Sequence, residues 1–391
     1  MMPTLKALLE ERLAALEHSG LRRTGEAMAR VPGGMLRAGE QTLVDFASND
    51  YLGLATDPRV ADAAARALAD AGTGAGASRL ITGSHPLHIR LEQALARFSG
   101  APAALLFNSG YAANTGAIPA LAVEGDVIYS DALNHASLID GCRLSRAETR
   151  IFPHADLESL SRLLEADRVR DGARWIVVES LYSMDGDLFP LDGLVTLARE
   201  HGAYTYVDDA HAVGVLGETG RGGPAYWGVE GEIDVVMVTL GKAFGVAGAA
   251  VLGSATLREL LYNRCRPFVF STAWPPALAA GAFAALEIAE HEPERRTKLW
   301  RNAARLRKGL AALGRPLPDD VSGTIAPVVI GPAAETMHVG AELRRRGFVT
   351  GSIRPPTVPE GTSRLRITVS AAHTDAQIDG LLEALADTLP K

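Results

Sequence analysis

Between residues 104 and 252 the chain repeats one pattern, a short continuously apolar stretch followed by a longer segment with helical spacing. The apolar stretches fall at 104–107, 127–129, 175–179, 204–208, 235–239 and 249–252. A strand with one wet face alternates apolar and polar residues, whereas a strand apolar at nearly every position is buried on both faces. Such strands, separated by helices, predict an α/β fold with a large, mainly parallel sheet covered on both sides. Open sheets of this kind take their ligands beyond the carboxyl ends of the strands, so the residues just after each stretch are the first to examine.

The flanks supply the rest of the organisation. Residues 4–19 read as an amphipathic helix with Leu5, Leu8, Leu9, Leu13 and Leu16 on one side, inside an N-terminal helical arm over 1–45. A short strand is expected at 43–47. Asp57, Pro58 and Gly72 then supply an N-cap, a first helical position and a stop for the next helix. The large domain spans 46–285, and the helix at 276–290 leads out of it. A smaller α+β domain over 286–391 holds a charged helix, a strand at 325–330, a helix at 335–346 and a strand at 364–369. Its last helix is opened by the capping box Thr374-x-x-Gln377.

Charge and cysteine content remove several classes. The net charge of -7, with no basic run, argues against a general grip on nucleic acid, so an anionic substrate must be met by a few placed arginines. Cys142 and Cys265 form no CxxC or Cys/His cluster, so neither a metal site nor a disulfide framework is expected. There is no apolar signal core and no run of about 18 apolar residues, so the expectation is a cytoplasmic protein without a membrane span.

Four features follow the apolar stretches. Lys242 lies in Thr239-Leu240-Gly241-Lys242-Ala243-Phe244-Gly245. A lysine there can be desolvated and its pKa lowered, as a Schiff-base amine requires, although most loop lysines are simply solvated. Asp208, the last residue of its strand, can keep a heterocyclic ring nitrogen protonated, and His211 can bond a ring oxygen. The ordinary readings are an N-cap and a satisfied histidine, and Asp-x-x-His as a metal pair lacks a third ligand. Asn108-Ser109-Gly110-Tyr111 ends a strand and opens a helix through Asn114, which suits a phosphate. Asn134-His135-Ala136-Ser137 places a histidine where it can stack on a flat ring, or simply cap a helix. Gly72-Thr73-Gly74-Ala75-Gly76 only mimics a dinucleotide fingerprint, because a helix and not a strand precedes it.

In this order and with these neighbours, the pieces resemble the α-oxoamine synthase family of fold-type-I pyridoxal-phosphate (PLP) enzymes. The resemblance covers nearly the whole chain. It runs through Ser48-Asn49-Asp50-Tyr51-Leu52-Gly53-Leu54, Gly74-Ala75-Gly76-Ala77-Ser78-Arg79, Asn134-His135-Ala136-Ser137-Leu138 and Ser183-Met184-Asp185-Gly186-Asp187. It continues in Val207-Asp208-Asp209-Ala210-His211, the Lys242 segment and Arg354-Pro355-Pro356-Thr357-Val358-Pro359. Carried over position by position, it implies that Lys242 holds PLP as a Schiff base and later removes the Cα proton. Asp208 would hold the pyridinium, His211 the phenolate oxygen, and His135 would stack on the ring. Gly110, Tyr111, Ser183 and Thr239 match positions around the cofactor, and Thr272 one that reaches the phosphate from the other subunit of an obligate homodimer. Arg22, Asn49, Leu80, Thr357 and Arg366 match substrate-contacting positions. Arg364 and Arg366, two apart on a predicted strand, point to one face, where a guanidinium can fix an amino-acid carboxylate.

The resemblance implies a decarboxylating Claisen condensation of an amino acid with an acyl thioester. Leu80, where relatives taking a short succinyl chain carry Asn, and Asp209, where they carry Glu, favour L-alanine with pimeloyl-CoA or a pimeloyl carrier-protein thioester. Other α-oxoamine synthases acting on glycine or serine, a fold-type-I aminotransferase and a non-catalytic PLP-binding regulator are the alternatives. The regulator would need a DNA-binding module, which the chain lacks.

Overall fold

The computed structural model describes residues 3–19, 21–23 and 25–390. Met1, Met2, Gly20 and Thr24 of the expected N-terminal arm, and Lys391 of the expected small domain, lie outside the described residues. The chain opens with the helix Leu5–His18, capped by Thr4, and Leu5, Leu9, Leu13 and Leu16 stay exposed along it. Three strands follow, β1 (Ala29–Val31), β2 (Met35–Ala38) and β3 (Gln41–Phe46). The region expected to be a helical arm is therefore partly sheet.

The central sheet holds β4 (Ala103–Phe107), β5 (Val127–Asp131), β6 (Glu148–Phe152), β7 (Arg174–Glu179), β8 (Tyr204–Asp208), β9 (Val235–Thr239) and β10 (Ala249–Gly253). Its order is β4-β10-β9-β8-β7-β5-β6, and every pairing is parallel except those of β10 with β9 and β4. The reversal of β10 follows from its connection. Residues 240–248 are too few for a helical crossover, and Leu240 and Gly248 close the turn with a hydrogen bond of 2.9 Å. Helices cover both faces of this sheet, and Ile128, Ile176, Val178 and Val207 are fully buried between them. The edge strand β6, absent from the apolar pattern, carries Glu148, Thr149 and Ile151 on its exposed positions. Charged edges discourage further pairing and also break the apolar signal.

The second sheet adds β11 (Ile325–Gly331), β12 (Phe348–Ile353) and β13 (Ser363–Thr368) in the order β1-β2-β3-β12-β13-β11. Strand β12, which contains Gly351 and is half-buried throughout, pairs parallel to β3 and antiparallel to β13. This pairing carries the N-terminal strands onto the C-terminal ones and brings Asn49 and Tyr51, just beyond β3, beside β13. The last helix, Asp375–Thr388, has the capping box expected at Thr374 and Gln377.

Candidate active site

Two strand ends define the centre of the site. Glu179 and Asp208 close β7 and β8 in register as direct neighbours. Asp208 is 5% exposed, and its Oδ2 accepts from Asn114 Nδ2 at 2.8 Å while Oδ1 accepts from the Ala210 amide at 3.0 Å. Asn114, fully buried on the helix Gly110–Leu121, also donates to Ser137 Oγ and accepts from Tyr206 Oη. Its amide orientation is thereby fixed, with the NH2 toward the carboxylate.

Lys242 leaves the β9–β10 turn half-buried near these carboxylates. Burial lowers its pKa, Arg366 adds to the lowering, and Asp208 and Glu179 oppose it. The turn needs glycine at 245, where φ is 69° and a Cβ would stand 2.2 Å from the Ala55 amide nitrogen. Glu179 accepts from the His135 amide at 2.6 Å, and burial and then the Asp208 charge raise its pKa well above the usual carboxylate value. His135 caps the helix Ala136–Leu144 through Nδ1. Burial lowers its pKa too, with Asp208 and Lys242 acting in opposite senses.

His211 is buried, with Nδ1 2.7 Å from Tyr51 Oη. Burial and then the charges of Lys242, Arg366 and His135 push its pKa well below the usual value, so its ring is neutral. Ser109 caps the helix Gly110–Leu121, and Gly110 and Tyr111, its first two residues, have amides without intrahelical acceptors. Gly110 lies so close to Thr239 that a Cβ would meet Thr239 Cγ2 at 2.7 Å, so a side chain would fill this cradle. Thr239 is buried and donates to the Ala210 carbonyl at 3.2 Å.

Both arginines of β13 point to the Ser183–Asp187 loop, as their spacing predicts. Arg364 pairs with Asp185, while Arg366 donates to the Ser183 carbonyl and, at 3.0 Å, to Asn49 Oδ1. Next to this loop, Arg22, Arg23, Arg354 and Thr357 line a cavity of about 370 Å³. Arg23 donates to Thr357 Oγ1 at 3.3 Å, while Arg22 turns its guanidinium to Glu17 at 3.0 Å. Leu80 and Thr272 lie apart from this group, both exposed. Their segments touch where the Ala273 amide donates to the Ala77 carbonyl at 2.9 Å, and the Thr272 carbonyl accepts from Asn108.

Sequence reading thus named Lys242, Asp208, His211, His135, Gly110, Tyr111, Thr239, Ser183, Asn49 and Arg366 for one region. It missed Asn114, Tyr206, Glu179 and Tyr51 as functional groups. The signals available were the position of Glu179 and Asp208 at the ends of apolar stretches, Tyr51 within the Ser48–Leu54 motif and Asn114 in the helix after Gly110. A desolvated lysine, a fixed carboxylate, a neutral histidine and an open helix N-terminus suit an aldehyde-bearing, phosphorylated pyridine ring. Lys242, Asp208, His211, Gly110 and Tyr111 are the residues that would hold it.

Comparison with known proteins agrees with that chemistry. The model of the family described as "Aminotransferase class I and II" matches residues 41–385. The chain is 51% identical to an 8-amino-7-oxononanoate synthase of Anaeromyxobacter dehalogenans over 97% of its length and 94% of the relative's. A variant serine palmitoyltransferase from S. paucimobilis, solved with a bound PLP–myriocin aldimine, superposes with a TM-score of 0.92 at 32% identity, covering 99% of this chain and 98% of that one. An 8-amino-7-oxononanoate synthase from Francisella tularensis gives 0.76 at 27% identity, over 88% and 97% of the two chains.

Proposed function

The chain belongs to the class I and II aminotransferase family and, within it, to the α-oxoamine synthases, PLP-dependent acyltransferases, and from that premise we propose that it joins L-alanine to a pimeloyl thioester. The thioester is pimeloyl-CoA or the carrier-protein form, the product is 8-amino-7-oxononanoate, and CO2 and free thiol leave. The step belongs to biotin biosynthesis.

Bound in the site, PLP supplies an electron sink for bonding pairs released at the substrate Cα. Lys242 would hold PLP, and its amine would take the proton from the substrate Cα; its lowered pKa suits both roles. Asp208, held as an acceptor by Asn114 and the Ala210 amide, keeps the ring nitrogen protonated. His135 would cover the ring and donate a hydrogen bond to the substrate, and His211 would bond the ring oxygen. The amides of Gly110 and Tyr111, with Thr239 and Ser183 alongside, receive the rest of the cofactor. Arg366 and Asn49 orient the amino-acid carboxylate.

The cavity beside Thr357 carries the choice of acyl chain. Arg22, Arg23 and Arg354 line one space, with Arg23 on Thr357 Oγ1 and Arg22 paired with Glu17 until a stronger anion draws it in. A chain ending in carboxylate satisfies them, whereas a palmitoyl end would leave cations against hydrocarbon. Leu80 and Thr272, exposed in the single chain, complete the partner's site in a homodimer, Leu80 against the methylene chain and Thr272 at the phosphate. Thiol release tests the reading. It should be fast with pimeloyl-CoA and L-alanine, and at least tenfold slower with palmitoyl-CoA or with glycine or L-serine. A preference for serine and palmitoyl-CoA would move the chain to the serine palmitoyltransferase branch.

A further inference from the structure

We propose that Tyr51 is a positioning residue that sets the tautomer of His211, making His211 a donor through Nε2–H toward the cofactor ring oxygen. The proposal rests on the reading that His211 faces the cofactor. Its own evidence is the hydrogen-bond inventory behind His211.

Tyr51 Oη and His211 Nδ1 are 2.7 Å apart, and both residues are buried. One proton lies between them, and two assignments are possible. If His211 donated from Nδ1, the phenolic proton of Tyr51 would need another acceptor. Among the described residues that hydroxyl has no other hydrogen-bond partner, and the positive charge that acts on it, Arg366, can only donate. A buried O–H would then be left unpaired. If Tyr51 donates instead, its proton goes to Nδ1 and no buried O–H is left without an acceptor. Burial supports this assignment by pushing the Tyr51 phenol up to about 12 and the imidazole well down, so both are neutral at physiological pH. Nδ1 is then the acceptor, and Nε2 carries the remaining proton.

The same hydroxyl links two tasks. Arg366 is the residue placed at the substrate carboxylate, and His211 the one placed at the ring. Tyr51 is hydrogen-bonded to His211 and feels the charge of Arg366, so it connects the two. Tyr51→Phe removes that oxygen with little change in volume.

Imidazole nitrogen NMR on histidine-labelled protein tests the assignment directly, with the His211 signals identified by their loss in His211→Asn. The wild-type apoenzyme should show His211 as the Nε2–H form, and Tyr51→Phe should show a mixture or the Nδ1–H form. Nδ1–H in the wild type, or no change in Tyr51→Phe, would overturn the proposal. In the holoenzyme, Tyr51→Phe should shift the pH dependence of the cofactor absorption band and weaken the binding of the responsive amino acid at least fivefold. If the band instead ignores His211→Asn altogether, the placement of His211 at the cofactor fails, while the NMR result still decides the tautomer.

Discussion

Asn114 Nδ2 donates to Asp208 Oδ2 at 2.8 Å, although the two residues are 94 apart in the chain. The bond explains how a carboxylate at the end of a buried strand is kept as an acceptor. Asn114 is itself fixed from the other side by the Tyr206 hydroxyl, at 2.8 Å. Hydrogen bonds to charged groups are worth ~1.5–3 kcal/mol. Asn114→Ala should therefore weaken cofactor retention roughly ten- to hundredfold, measured as the PLP dissociation constant of the folded protein. Retention at the wild-type level would show that Asp208 needs no such support.

Lys242→Ala should leave the fold intact and bind PLP only reversibly, since the helix N-terminus and Asp208 remain. It should form product at least about a thousandfold more slowly, because covalent anchor and base are lost together. Borohydride reduction followed by mass analysis of the protein, alongside turnover, checks both parts. Product at a near wild-type rate would remove Lys242 from the mechanism.

Asp208→Asn keeps the shape of the site but removes the charge that holds a proton on the ring nitrogen. Exchange of the alanine Cα hydrogen with deuterated water should fall by roughly two orders of magnitude or more, with cofactor still bound. Normal exchange would contradict the role given to this carboxylate.

His154 bridges Asp131 and Asp187 with contacts of 2.9 and 2.5 Å, tying the end of β5, which leads to His135, to the loop that carries Ser183. Burial alone would lower its pKa, but the two carboxylates outweigh burial and raise it to about 10 from 6.5. A raised folded-state pKa contributes stability that is fully present below pH 6.5 and is lost as pH rises toward 10. The thermal midpoint of wild type should therefore exceed that of His154→Gln most clearly near pH 6, and the gap should shrink between pH 6.5 and 10. A gap that is constant over this range would show that the bridge does not depend on charge.

What the sequence made legible follows from where each signal lies. Lys242, Asp208 and the Ser109–Gly110 cradle each lie at or within three residues of the end of an apolar stretch, so the strand pattern points at them. Tyr51 and Asn114 act through partners 160 and 94 residues away, and such pairings leave no local pattern. The strands β1, β2 and β12 escaped for a different reason. They are short and half-exposed or glycine-containing, and their pairing joins the two ends of the chain. The direction of β10 lay in the length of one turn rather than in its residues.

The most direct test of the central claim follows the carboxyl carbon of the amino acid. With L-alanine labelled at its carboxyl carbon and pimeloyl-CoA, the enzyme should release labelled CO2 and free CoA in equal amounts. The product should have the mass of 8-amino-7-oxononanoate and contain no label. Thiol release without CO2, or a product that keeps the labelled carboxyl, would contradict the decarboxylating condensation assigned to this site.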